Sequence, residues 1–99
     1  MAAGVLAIDQ GTTNTKALLV DAHGAILASG SRPMRVETPR PDWVEQSATA
    51  IWESVASLIG ELAESCGGTE IAALAISNQR ETTVIWDAET NDPIAPTIT

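Results

Sequence analysis

Ile8-Asp9-Gln10-Gly11-Thr12-Thr13-Asn14-Thr15-Lys16 carries an aliphatic run straight into an acid, a glycine and a row of hydroxyl and amide side chains. The preceding residues, Val5-Leu6-Ala7-Ile8, form a short continuous apolar run that fits a strand buried on both faces or a piece of buried helix. Shortness and flanking glycines favour the strand. Asp9 then falls where the strand leaves the core, so its carboxylate can hold a hard cation through oxygen. Gly11 lets the backbone approach an anion closely or take a positive φ. Thr12, Thr13, Asn14 and Thr15 set hydroxyl and amide groups beside backbone N–H donors, the materials of an anion-binding concavity, and Lys16 adds a positive charge. The plain alternative is a threonine-rich hairpin turn with an aspartate that merely ends a strand.

The Walker A pattern is excluded. It needs a glycine where Thr15 stands and a hydroxyl where Ala17 stands. Lys16 is followed by another aliphatic run, Ala17-Leu18-Leu19-Val20, then Asp21, the turn residues Ala22-His23-Gly24, and a third apolar run over 25–28. The candidate phosphate loop therefore joins two strands of a meander. His23, the only histidine, reads as a solvated turn residue and not as a general base.

Outward from this meander, prolines at 33, 39 and 41 resist both helix and central strand, so 33–46 is expected as a connector. Ser47 can cap a helix over about 48–66 whose positions Ile51, Trp52, Val55, Leu58, Ile59 and Leu62 form one apolar stripe. Glu53, Glu61 and Glu64 lie off that stripe as a solvated face, and Gly67-Gly68 ends the helix. A second aliphatic run over 71–76 predicts a strand parallel to an earlier one. It leads into Ser77-Asn78-Gln79-Arg80-Glu81, where ligands gather in open α/β sheets. Arg80 offers a planar fork of donors and Glu81 a double acceptor, a pair able to grip vicinal hydroxyls. The competing reading is a surface Arg–Glu pair. Further strands are expected over about 5–9, 15–21, 25–32, 71–77 and 82–87, with Trp86 in a packing role.

Composition narrows the function classes. A chain of 99 residues with 44% hydrophobic content is one small domain, large enough for a single core. A net charge of −8 argues against a nucleic-acid surface, though not against a nucleotide held by local donors. The single cysteine, Cys66, excludes an internal disulfide or cysteine cluster and reads as an inert, half-buried thiol. With neither a basic leader nor an apolar span, the sequence predicts a cytoplasmic protein away from membranes.

Three segments together carry a resemblance: Asp9-Gln10-Gly11-Thr12-Thr13, then Asp42-Trp43-Val44-Glu45-Gln46 before a helix, then Ser77-Asn78-Gln79-Arg80-Glu81-Thr82-Thr83-Val84-Ile85-Trp86-Asp87. Their order and spacing resemble the N-terminal part of the FGGY family of carbohydrate kinases, across nearly the whole chain. The run Asn78-Gln79-Arg80-Glu81-Thr82 leans towards the glycerol-phosphorylating members over those acting on pentuloses such as xylulose. The resemblance implies an incomplete ribonuclease H-like α/β fold of the actin, hexokinase and sugar-kinase superfamily, with a mixed sheet and one long helix, and residues 1–99 forming a partial N-terminal kinase domain. It implies ATP-dependent phosphorylation of a polyol or sugar, foremost glycerol to glycerol 3-phosphate, with Mg2+ bridging the phosphates. In that pattern Asp9 serves the metal, Gly11, Thr12, Thr13, Asn14 and Lys16 face the phosphates, and Arg80 with Glu81 hydrogen-bonds the polyol. Trp43 and Glu45 match a family segment with a structural role.

The sequence departs from the family at Asn14, where Ser or Gly is usual, and at Lys16, where many glycerol-phosphorylating members carry Arg. It also stops at Pro96-Thr97-Ile98-Thr99, before the family's catalytic-base aspartate and adenine-binding domain, so the chain reads as a fragment inactive alone. Exposed edges on the strands over 25–28 and 82–86 would then drive homo-oligomerisation. Two other classes stand beside the kinase: a non-catalytic nucleotide- or sugar-binding module of the same superfamily, and a small acidic domain with no ligand.

Overall fold

The computed structural model describes residues 3–65, 67 and 69–98. Strands β1 (Ala3–Gln10), β2 (Asn14–Asp21) and β3 (Ile26–Pro33) form an antiparallel meander. Helix α1 (Ala48–Ser65) then crosses to β5 (Glu70–Ser77), which pairs parallel with β1. The sheet order is β3-β2-β1-β5. A second, two-stranded sheet pairs β4 (Glu45–Gln46) with β6 (Thr97–Ile98).

Local chemistry explains these boundaries. In the β2–β3 turn, Asp21 Oδ1 accepts hydrogen bonds from the backbone N–H groups of His23 and Ala25, both 2.9 Å, and Gly24 takes a φ of 83°. Ser47 caps α1, its Oγ accepting from the Ala50 N–H at 3.1 Å. Gly67, with φ 62°, lies just beyond the helix in the left-handed region typical of a helix terminator. Cys66 and Gly68 lie outside the described residues.

The core lies between α1 and one face of the sheet: Leu6 and Ile8 of β1, Ala17 and Leu19 of β2, Leu58 and Leu62 of α1. Gly30 of β3 faces the helix at close range. A Cβ there would meet Glu61 Oε2 and lie 2.8 Å from Leu58 Cδ2. The helix thus settles over β2 and β3 because residue 30 has no side chain.

The structure corrects several expectations. The first strand is covered on one face only, with buried and exposed residues alternating, and every residue of β5 is exposed. Residues 82–87 form no strand: Thr83 bridges Ile98 and Trp86 bridges Pro93, each as an isolated pair. Trp86 is 57% exposed and so packs little, and the free edges of the sheet are β3 and β5. Trp52 is 65% exposed, whereas Ser54 joins Leu58 and Leu62 as a buried helix position. Glu61 is not simply solvated, since it pairs with Arg32 at 3.3 Å. The end of the connector is ordered as β4, fixed further by Glu37–Glu45 backbone bonds of 2.8 Å.

Candidate functional site

β1 and β5 run parallel with Asp9 opposite Ser77, so residues 11–13 and 78–81 emerge side by side at the carboxyl ends of neighbouring strands. The candidate loop is a tight connection. The Gly11 N–H donates to the Asn14 carbonyl at 2.9 Å, and a Cβ on Gly11 would lie only 2.9 Å from that oxygen. A side chain at residue 11 would force the loop open.

Three glutamines lock this loop in place. Gln79 Nε2 donates to Gln46 Oε1 (2.9 Å), Gln10 Oε1 (3.2 Å) and the Gly11 carbonyl (3.3 Å). Gln79 Oε1 accepts from the hydroxyls of Thr82 (3.0 Å) and Thr12 (3.3 Å). Gln46, 1% exposed, donates from Nε2 to the Thr12 carbonyl at 2.7 Å. Gln10 Nε2 reaches the Gly11 carbonyl at 2.9 Å, and the Met34 N–H reaches the Thr13 carbonyl at 2.8 Å. The carbonyls of residues 11, 12 and 13 are therefore all occupied. Among the described residues no hydrogen bond uses the backbone N–H of Thr12 or Thr13.

The remaining candidates sort by strand alternation. Asp9 and Lys16 are cross-strand partners on the sheet face away from α1, both exposed, and no salt bridge joins them among the described residues. With Ala7, Ile8, Leu18, Ala75, Ile76 and Ser77 they line an open concavity of about 510 Å3. Thr12, Thr13 and Asn14 are exposed at the loop, and Asn14 Nδ2 lies 3.4 Å from Thr13 Oγ1. Thr15, counted with the loop hydroxyls from sequence, points the other way. It is fully buried under α1, its Oγ1 bonded to Ser54 Oγ at 2.9 Å, so its role is structural.

Arg80 and Glu81 are both exposed and take part in no ion pair among the described residues. They do not form the surface salt bridge that was the competing reading. Glu81 adopts φ 55°, a left-handed conformation that side-chain-bearing residues enter at a cost of about 1 kcal/mol or more. Such an outlier in the loop after β5, next to the Gln79 network, marks a backbone held by its surroundings.

Among the described residues no group of three or more His, Cys, Asp or Glu side chains could hold a metal alone. A lone free carboxylate such as Asp9 suits Mg2+, which keeps several waters and is commonly held by one or two carboxylates together with substrate phosphates. Sequence reading missed Gln46 and passed over Gln10 and Gln79 as ligands of the loop. Their types and spacing give no signal, because apart from the bond of Gln10 to its neighbour Gly11 the contacts join residues more than thirty positions apart.

Trp43 stacks under the Arg40 guanidinium, 4.6 Å from ring centroid to Cζ, at the start of the segment leading to Gln46. Among the described residues no helix is long and apolar enough to cross a membrane.

Comparison with known proteins matches residues 4–99 to the FGGY family of carbohydrate kinases, N-terminal domain. A glycerol kinase of Paraburkholderia phytofirmans is 45% identical over 92 residues, covering 91% of this chain and 18% of that protein. One from Acinetobacter baylyi is 44% identical over 96 residues, covering 95% of the chain and 19% of the relative. The crystal structure of Plasmodium falciparum glycerol kinase with ADP superposes with a TM-score of 0.94 at 28% identity, over 99% of this chain and 20% of that one. The xylulose kinase from Rhodospirillum rubrum follows at 0.90 and 26%, over 97% and 20%. The fold is that of the actin, hexokinase and sugar-kinase superfamily. The chain spans about a fifth of the length of these relatives.

Proposed function

The chain belongs to the FGGY family of carbohydrate kinases, and on that premise we propose that it supplies the phosphate- and alcohol-binding edge of an enzyme moving the terminal phosphoryl group of ATP onto glycerol, giving glycerol 3-phosphate. In this reading the chain is part of an N-terminal kinase domain, works in the cytoplasm, and turns over no substrate alone. The observation that carries it is the contact of Gln79 with both Thr12 and the Gly11 carbonyl, which supports one continuous site for the two loops.

Phosphoryl transfer is mostly positioning and charge stabilisation, so each role follows from what a side chain can hold. Mg2+ and ATP would supply the electrophilic phosphoryl group and neutralise its charge. Asp9 would hold the metal through its free carboxylate. Thr12 and Thr13 would offer their unused N–H groups to phosphate oxygens, joined by the Thr13 hydroxyl because that of Thr12 donates to Gln79, with Asn14 as a further amide donor and Lys16 as a point charge. Gly11 keeps the turn tight enough for close approach. Arg80 and Glu81 would donate to and accept from adjacent hydroxyls of the polyol. Neither side chain is committed to an ion pair among the described residues, which leaves both open for this purpose.

A pentulose kinase is the second reading, favoured by the 0.90 superposition on the xylulose kinase. A non-catalytic nucleotide- or sugar-binding module is the third. One experiment separates them: replace the matching residues of the Acinetobacter baylyi glycerol kinase with this chain and assay ATP consumption with glycerol and with xylulose. Glycerol-dependent turnover is expected, and Arg80→Ala should raise KM for glycerol about tenfold or more while KM for ATP stays within about twofold. Turnover only with xylulose supports the second reading. A chimera that folds and binds glycerol without turnover supports the third.

A further inference from the structure

Residues 11–13 present an asymmetry that threonine content does not explain. Every carbonyl in the loop is hydrogen-bonded from within the protein, and the N–H groups of Thr12 and Thr13 are left over. Backbone N–H groups gather around an anion only when the peptide planes are held in one orientation. Threonine side chains do not do this here, since the Thr12 hydroxyl is itself engaged by Gln79. The carboxamides do.

We propose that Gln46 and Gln79 are positioning residues for phosphate binding: they draw in the carbonyls of residues 11 and 12, leaving the Thr12 and Thr13 N–H groups free for phosphate oxygens. The inference rests on the phosphate reading above and assigns its geometry to side chains outside the loop. The two glutamines differ in what they hold. Gln46 is nearly inaccessible and its donated bond to Thr12 is the shortest in the network. Gln79 offers two amide protons to three acceptors, and its oxygen takes Thr12 from one side and Thr82 from the other. Because residue 79 immediately precedes Arg80 and Glu81, a shift of the phosphate loop pulls on the polyol segment. The strained φ at Glu81 lies two residues from this anchor.

Two near-isosteric substitutions separate the bonds. Gln46→Met removes the donor to the Thr12 carbonyl while conserving volume. Gln79→Glu keeps acceptance from Thr12 and Thr82 but removes all three donations. In NMR relaxation on the 99-residue chain, Thr12 and Thr13 should show order parameters near 0.85 in the unsubstituted protein and below about 0.6 in both variants, with β1 and α1 unchanged. Titration with inorganic tripolyphosphate, followed by amide shifts, should move Thr12 and Thr13 and weaken about tenfold in both variants.

Order at residues 12 and 13 that survives both substitutions would overturn the positioning role. So would a loss of order spread evenly over the sheet, which is what a merely structural glutamine produces. If tripolyphosphate moves neither amide of the unsubstituted chain, the phosphate reading fails. The order parameters still decide whether the glutamines set the loop.

Discussion

Two aliphatic strands lie side by side in this sheet and meet opposite fates. β1 sends Leu6 and Ile8 under the helix at 2% exposure, whereas its parallel neighbour β5 leaves Leu74 and Ile76 at 50% and 63%. Sequence composition hardly distinguishes Val5-Leu6-Ala7-Ile8 from Ala73-Leu74-Ala75-Ile76. The difference comes from where α1 rests, and that is set by Gly30, which faces the helix from the opposite edge strand, β3. A run of aliphatics specifies a strand; what covers the strand is decided by the shape of another element.

The comparison breaks most readily on the covered side. Leu58→Ala should destabilise the fold by about 2–5 kcal/mol, through lost burial and a cavity in the core between helix and sheet, as read by urea unfolding. Gly30→Val should cost about 1–3 kcal/mol by pushing α1 off β3, and should raise the exposure of Leu62 in hydrogen exchange. On the open side, Ile76→Ser should change stability by no more than about 0.5 kcal/mol. Its effect should instead be on association. The outer edge of β5 is apolar, free of proline and unpaired, which favours self-pairing, so the unsubstituted chain should elute as a dimer or larger species and Ile76→Ser nearer the monomer. A monomeric parent chain in light scattering would remove the basis for an oligomer.

The smallest effect lies at the turn. Backbone hydrogen bonds from Ala25 and His23 hold the Asp21 carboxyl below its ordinary value of 3.8, against a slight opposing desolvation and with help from the nearby His23 charge. A depressed carboxylate stabilises the fold above its unfolded value and loses that contribution as pH falls through the lower, folded one. The turn should therefore loosen only below about pH 3.8, and Asp21→Asn should flatten that acid limb of the unfolding curve.

Much of the chain was legible from its pattern. The strands of the meander, β5 and the helix fall within two residues of the ends expected for them, because aliphatic runs, turn residues and a serine cap act locally. Residues 82–87 misled for a physical reason. Thr82 and Thr83 before Val84-Ile85-Trp86 have strand-like chemistry, yet only isolated bridges to Ile98 and Pro93 form, so no ladder develops. Trp52 misled differently. It sits six positions before Leu58, about 120° around a helix of 3.6 residues per turn, so spacing alone puts it at the margin of the stripe. Ser54, nearer the centre, is buried despite its hydroxyl because Thr15 meets it from β2.

Within the candidate site, the motif residues could be named in advance but their fastening could not. Alternation along β2 would have placed Thr15 with Ala17 and Leu19 on the helix side, apart from Asn14 and Lys16, had period been weighed above hydroxyl count. The tie from Gln46 to Thr12 closes a loop of 34 residues, and nothing local to either residue announces it.

Carboxamides neither gain nor lose a proton across the range in which proteins survive. A loop fastened by Gln10, Gln46 and Gln79 therefore keeps its shape when acidity changes, unlike one clamped by histidine or by an ion pair. Any acidity dependence in anion capture at residues 12 and 13 would then report the visiting phosphate and not the scaffold beneath it.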